Sequence, residues 1–160
     1  MTGPRGWRVA WSAAALALTG CASSGNPAST PAATPSYIQQ YANAGSALDK
    51  ATETWDSLGQ SLVAAGTNTI ANVAPIDAAY AIALQAFGTA VLAIQFPASS
   101  ETDVHHLADA AGAVRTDLAG VASGAVSTSQ FVTDESKLQD AINVVQRDLG
   151  LGSSTPIAGA

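Results

Sequence analysis

Apolar residues recur along the middle of the chain with the spacing expected of helices. Within residues 41–62 they advance by three and four positions in turn, over three heptads. Residues 104–121 repeat this stepping, and a fourth apolar series runs from about 127 to 149. The sequence lacks the alternation of β-branched and polar residues that indicates strands. The pattern therefore predicts an all-α protein.

The residues at the ends of these segments agree with helix termini. Ser36 follows a proline and can cap the first helix, and Gly66 is suited to end it. Ser100 can cap the third helix, with acids in the first turn, where the helix dipole stabilises them. Gly150 stands where the end of the fourth helix favours a left-handed residue.

A second apolar segment differs from the other three because residues 78–100 contain no charge. A helix that is apolar around most of its circumference is buried in a protein or in a membrane. Gln85 and Gln95 lie within the segment, so we expect the most buried helix of a bundle rather than a membrane span. Pro75 can open this helix, although a start near Asn68 with a kink at Pro75 is equally compatible.

Short connections join the four predicted helices. Links of roughly four to nine residues make consecutive helices antiparallel neighbours. We therefore predict an up-down-up-down four-helix bundle over residues 37–150. Gly45 and Gly59 flank the apolar seam of the first helix two heptads apart, and we expect them to let another helix approach closely.

The segments on either side of the bundle have a different composition. Residues 22–36 are rich in Ser, Pro, Ala and Thr and carry no charge, which predicts a disordered tether over residues 21–36. Residues 151–160 form a Gly/Ser/Pro tail, for which we also expect disorder.

The first twenty residues have the order of an export signal. Two arginines precede an apolar stretch of about ten residues, which is shorter than a bilayer-spanning helix. The sequence Leu18-Thr19-Gly20-Cys21 follows and contains the only cysteine of the chain. This tetrapeptide closely resembles the signal of bacterial lipoproteins.

The resemblance implies a specific processing of the N-terminus. Residues 1–20 would be removed by cleavage between Gly20 and Cys21, and the Cys21 sulfur would carry a diacylglyceryl group with palmitate-like chains. Two or more acyl chains hold a protein stably at a membrane. The resemblance therefore implies a lipoprotein anchored on the extracytoplasmic face of the cell membrane, with its only thiol occupied by lipid.

The chain after the signal is acidic. Four basic residues and all twelve acids follow residue 20, which gives a formal charge of −8. This charge argues against nucleic acid as a partner and against electrostatic binding to anionic headgroups. We expect the lipid on Cys21 to provide the membrane attachment.

The histidines are the first candidates for a metal site. His105 and Asp109 share a helix face at a spacing that can bind a metal. The set is incomplete, and we expect His105 and His106 to point outward because Val104 and Leu107 define the seam. We predict no metal, no cofactor and no catalytic residue, and hence a protein that is not an enzyme.

The carboxylates are the second candidates for chemistry. Asp49, Glu53 and Asp56 share a helix face away from the apolar seam, where we expect them to be solvated. Asp134 lies nearer the seam of the fourth helix and could pair with Lys137. No motif of hydrolases, nucleotide-binding proteins or zinc proteases accompanies these acids.

Aromatic residues fall on the apolar seams. We expect Trp55 to anchor the core, and Tyr41, Trp55, Tyr80 and Phe87 could together line an apolar cavity, since bundles hold ligands between helices. The sequence leaves open whether such a space is filled.

The part of the chain after the signal is also similar to small secreted or lipid-anchored helical proteins of high-GC Gram-positive bacteria. Short segments carry the similarity: Asp103-Val104, Val114-Arg115-Thr116-Asp117-Leu118 and Arg147-Asp148-Leu149-Gly150-Leu151. It implies the compartment and the helical fold. We expect an uncharacterised type of envelope lipoprotein that acts by binding other proteins, or alternatively a carrier of a small apolar ligand in the bundle core.

Overall fold

Four helices form the fold in the computed structural model, which describes residues 36–151. Their bounds are α1 Tyr37–Ala64, α2 Ile70–Ala93, α3 Glu101–Ser123 and α4 Thr128–Asp148, with a 3₁₀ turn at Ala98–Ser100. Helix α1 packs on α2, α2 on α3 and α3 on α4. The predicted all-α four-helix bundle is confirmed. The signal, the lipidation site Cys21, the tether up to residue 35 and the tail from 152 lie outside the described residues.

One continuous apolar core joins the four helices. Each helix contributes residues spaced three, four or seven apart, so the seams read from the sequence meet along the bundle axis. The core members are Tyr41, Leu48, Tyr80, Leu84, Phe87, Val91, Val104, Leu107, Ala111, Val114, Leu118, Phe131, Leu138, Ile142 and Val145.

The helix ends follow the predicted signals, with one exception. The Ser36 hydroxyl accepts a hydrogen bond from the Gln39 N–H at 3.2 Å and caps α1. Gly66 and Gly150 take the left-handed conformation, with φ of +67° and +70°. Ser100 stands at the N-cap of α3, but its side chain makes no capping bond, because the backbone there continues from the preceding 3₁₀ turn.

Helix α2 begins earlier and is less buried than the sequence predicts. It starts at Ile70, so Pro75 lies inside it and the earlier of the two predicted starts is correct. The expectation that α2 is the most buried helix is wrong: five of its residues are buried, against seven in α4. One stripe of α2 packs on α1 and α3, whereas Ile82 is 69% exposed and Leu92 49% exposed on the outer side.

The glycines define close approaches at positions other than those predicted. Gly45 is buried, but a methyl group at Gly59 would meet no atom within 4 Å, so α1 is not approached closely there. A methyl group at Gly120 would collide with the side chain of Val126, where the chain folds back between α3 and α4. Gly120 is therefore required by the local packing of this connection.

Candidate functional site

An open groove lies between α1 and α2. Its volume is about 540 Å³ and its walls are mainly apolar. The lining residues are Ala47, Lys50, Ala51, Thr54, Trp55, Leu58, Pro75, Ile76, Ala79 and Tyr80. The groove exists because alanines on the facing sides of both helices occupy little volume, which leaves a furrow beside the aromatic side chains.

Trp55 forms the inner wall of this groove. Its indole stacks on the Tyr80 ring at a centroid distance of 5.1 Å and lies 6.0 Å from the ring of Phe131. Its Nε1–H donates to Asp77 Oδ1 at 2.8 Å. Burial raises the pKa of Asp77, and this hydrogen bond partly opposes the rise. The contacts fix the indole, so the groove has a rigid aromatic wall rather than a mobile one.

A smaller recess lies between α1 and α4. It measures about 30 Å³ and is lined by Leu48, Asp49, Thr52, Tyr80, Glu135, Leu138, Gln139 and Ile142. Thr52 Oγ1 lies 3.4 Å from the Tyr80 hydroxyl at its base and 3.0 Å from the Leu48 carbonyl. We call this space the acidic recess, because the carboxylic acids Asp49 and Glu135 both line it.

Asp49 and Asp56 are only partly solvated, whereas the sequence predicts full solvation for both. Burial, reinforced by Glu53, raises the pKa of Asp49 to about 7. Burial, reinforced by Asp56, raises the pKa of Glu135 to about 7. Burial alone raises the pKa of Asp56. The helix wheel of α1 places Asp49 off its own seam but could not reveal that α4 covers that side.

The same recess affects the Tyr80 hydroxyl. Burial, with the nearby carboxylates of Glu135, Asp56 and Asp49, raises the pKa of Tyr80 to about 12, against the opposing hydrogen bond with Thr52. A phenol with such a pKa stays protonated at neutral pH. Tyr80 can therefore act in this site as a hydrogen-bonding group, but it is not suited to lose its proton.

A second pair of acids bridges α3 and α4. Asp117 and Asp134 are 7% and 8% exposed, and Lys137 Nζ lies 2.6 Å from Asp134 Oδ1, which confirms the predicted pair. Hydrogen bonds from Lys137 and Gln130 hold the pKa of Asp134 below its ordinary value. Burial, and next the hydrogen bond with Asp134, raise the pKa of Asp117. The two carboxyl groups are hydrogen-bonded to each other, and their opposite pKa shifts mean that Asp117 holds its proton more firmly than Asp134.

The four aromatic residues predicted to line a cavity do not converge. Trp55 and Tyr80 line the groove between α1 and α2. Tyr41 is fully buried towards the start of α1, with its ring 6.0 Å from that of Phe96. Phe87 is buried in the core and lines neither recess. Sequence spacing identified all four as inward-facing, but their positions along the axis separate them.

The histidines lie where the sequence placed them. His105 and His106 are exposed on α3, and Asp109 is exposed one turn further along. Within residues 36–151 no group of three or more His, Cys, Asp or Glu side chains is placed to hold a metal ion.

Helix α2 is long and apolar enough to cross a membrane, judged by length and composition alone. Its mean hydropathy reaches 1.5, and 28% of that stretch is buried inside the fold. Core helices of soluble proteins meet the same criterion, and α2 contributes four large side chains to the core. Its composition is therefore weak support for a membrane span.

Sequence reasoning missed two residues of these sites. Asp77 was overlooked although it is the only charged residue of α2, which was a usable signal. Glu135 follows Asp134 on a helix with a polar surface, and nothing in the local sequence distinguishes it from an exposed acid.

No protein-family model matches this sequence, and no curated protein and no solved structure shows significant similarity to it. The N-terminal signal, the groove and the acidic recess are therefore the features that indicate a function.

Proposed function

We propose that the protein is a lipoprotein of the cell envelope, anchored through lipid on Cys21 at the extracytoplasmic face of the membrane, where it binds other proteins and has no catalytic role. The support for the anchor is the signal that ends in Gly20-Cys21. The support for the binding role is the groove between α1 and α2. Its mainly apolar wall is open to solvent beside the core.

The groove suits an apolar segment of a neighbouring envelope protein. Leu58, Val63 and Ile70 are large apolar side chains left exposed in the groove and at the connection between α1 and α2. Fourteen residues separate Cys21 from Ser36, and they reach at most about 46 Å when extended. The anchor therefore keeps the groove close to the membrane surface, where membrane-associated proteins are concentrated.

Substitution of the cysteine tests the anchor. Cys21→Ala should move the protein from the membrane fraction to the soluble fraction of cells, because no lipid can then be attached. Ser23→Ala, two residues away, should leave the protein in the membrane fraction. Persistent membrane association of the Cys21→Ala protein would contradict the lipid anchor and would direct attention to α2.

Site-specific crosslinking in intact cells tests the binding role. A photoreactive amino acid in place of Leu58 should form a discrete adduct with one envelope protein, because Leu58 is in the groove and 46% exposed. The same amino acid at Thr116, which is exposed on α3, is the control. Adducts of equal yield and identity at both positions, or none at Leu58, would contradict a specific groove interaction.

The alternative function is a carrier of a small apolar ligand. The volume of about 540 Å³ falls within the range of roughly 300–1,000 Å³ that ligand pockets occupy, and this observation favours the alternative. Trp55 is the only tryptophan after residue 20, so its fluorescence reports on the groove without interference once the signal is removed. Saturable quenching by 1-anilinonaphthalene-8-sulfonate, lost in Ala51→Leu, would support the carrier; absence of quenching would oppose it.

A further inference from the structure

The acidic recess collects negative charge without a compensating cation. Asp49 and Glu135 line it, and the Asp56 carboxylate also acts on the Tyr80 hydroxyl at its base. The four basic side chains of residues 36–151 are placed elsewhere. Lys137 binds Asp134, Arg115 donates to Gln85, Arg147 lies beside Asp148, and Lys50 lines the groove on the other side of α1.

Glu135 is the residue that makes this recess different from an ordinary acidic surface. Its side chain is 9% exposed, and it makes no hydrogen bond or ion pair within the part of the chain that the structure describes. Buried carboxylates in folded proteins are normally paired or hydrogen-bonded. The Glu135 oxygens are not sealed from water, so a cation that enters the recess can reach this unpartnered carboxylate.

The size and the neutral groups of the recess limit what this partner can be. About 30 Å³ accommodates one or two water-sized groups, such as the end of an alkylammonium chain, but not a quaternary ammonium. Thr52 Oγ1 has a single hydrogen, which can serve either the Leu48 carbonyl or the Tyr80 hydroxyl. Lone pairs on the Thr52 and Tyr80 oxygens therefore remain to accept hydrogen bonds at the base of the recess.

We propose that the acidic recess binds the terminal ammonium of a primary alkylamine, either a free amine or a lysine side chain, with Glu135 and Asp49 as its counter-charges and the Thr52 and Tyr80 oxygens as further acceptors. An ammonium group has three N–H donors that can be shared among separated oxygens. A metal ion requires closer convergence, and no three acids in residues 36–151 are placed to provide it. Tyr80 is the one lining residue that the recess and the groove share, and the site does not depend on the proposed protein-binding role.

The binding depends on pH, and its direction follows from the groups that face the recess. Asp49 on α1, Tyr80 on α2 and Glu135 on α4 line it, and the carboxylates of Glu53 and Asp56 on α1 act on these groups from nearby. Asp49 and Glu135, with pKa values of about 7, must lose their protons to hold the ammonium, whereas Tyr80 keeps its proton. Ammonium binding therefore strengthens as the pH rises from about 6 to 8.

An NMR titration of the full-length chain in detergent micelles tests the site. The probe is n-butylammonium at pH 8, followed through the Glu135 side-chain carboxyl carbon and the Thr52 amide. We expect saturable shifts in both signals, an affinity that weakens by about tenfold or more in Glu135→Gln, and a smaller loss in Asp49→Asn. Asp140→Asn replaces an exposed acid on the same helix as Glu135 and should leave the affinity unchanged.

Two further probes complete the test. The first distinguishes a lysine side chain from a free amine, and the second distinguishes specific binding from a general response to positive charge. N-acetyl-lysine methylamide should bind with similar affinity if a lysine side chain is the natural ligand, whereas binding of n-butylammonium alone indicates a free amine. Tetramethylammonium has the same charge but should cause no saturable shift. Equal responses to tetramethylammonium, or an unchanged affinity in Glu135→Gln with the fold intact by circular dichroism, would overturn the proposal.

Discussion

Asp134 and Glu135 are neighbours in the sequence, but they belong to two regions of opposite character. Asp134 faces α3, where Lys137 and Gln130 bind its carboxylate and lower its pKa. Glu135 faces α1 and α2, where no residue of the described range 36–151 forms a hydrogen bond or ion pair with it, and burial raises its pKa to about 7. The first region is a closed interface that contains its own counter-charge. The second is a recess whose carboxylic acids have no counter-charge within residues 36–151.

The packing of the two regions also differs: it is tight around α3 and open between α1 and α2. Between α3 and its neighbours, Leu107 and Val114 are fully buried and the chain folds tightly over Gly120. Between α1 and α2, Leu58 is 46% exposed and the helices leave a groove of about 540 Å³. The comparison indicates that stability is concentrated around α3, whereas α1 carries the surfaces that remain available for binding.

Leucine truncation is the strongest test of this difference. Leu107→Ala should lower the free energy of unfolding by about 2–5 kcal/mol, because it removes a fully buried side chain and leaves a cavity. Leu58→Ala should change it by only about 0.5 kcal/mol, since much of that side chain already contacts water. Urea denaturation measures both, and equal losses would contradict the assignment of stability to the α3 side.

Glycine substitution should give effects of opposite sign in the two regions. Gly120→Ala should destabilise the fold by about 1–3 kcal/mol, because the new methyl group displaces Val126 from the connection between α3 and α4. Gly59→Ala should stabilise it by about 0.5–1 kcal/mol, since the methyl group meets no atom within 4 Å and alanine favours the helix. Thermal melts of both variants check the signs, and stabilisation by Gly120→Ala would show that the connection can adjust.

The pH dependence of stability should sharpen the contrast between the two neighbouring acids. Because the native-state pKa of Glu135 is raised above its ordinary 4.5, the native state retains the proton between about pH 4.5 and 7, and stability falls as the pH rises through that interval. Asp134 has a lowered pKa, so its contribution is present above about pH 4 and is lost on acidification.

Melting temperatures at pH 5 and pH 8 measure this effect. Glu135→Gln should raise the melting temperature at pH 8 more than at pH 5, whereas Asp134→Asn should lower it at both values. The exposed Asp140→Asn serves as the control on the same helix and should follow the unmodified protein. A Glu135→Gln protein that loses stability at pH 8 would contradict the absence of a partner for this carboxylate.

The sequence was informative where structure depends on near neighbours. The seams and the cap at Ser36 and the stops at Gly66 and Gly150 were predicted correctly, because helix formation and termination depend on residues within a few positions. The pair Asp134–Lys137 was also predicted, because side chains three positions apart on one helix have a fixed relative position.

The candidate sites depended on contacts between helices, and there the sequence failed. Asp49 lies off the seam of α1 and was expected to be solvated, yet α4 covers it. Helix α2 was expected to be the most buried because it lacks charge, yet its position beside α1 and α3 leaves Ile82 exposed. The composition of a helix indicates whether it can be buried, but not which of its faces another helix will cover.

By itself, the sequence determined four helices, their ends, the acidic character of the chain and the resemblance of Leu18-Thr19-Gly20-Cys21 to a lipoprotein signal. These properties are local, since each depends on residues within one or two helical turns. Only the tertiary structure decided that Trp55 and Tyr80 line a groove and that Glu135 is buried without a partner. Burial, distance and pKa across helices are set by which helix faces meet, and no periodicity within one helix contains that information.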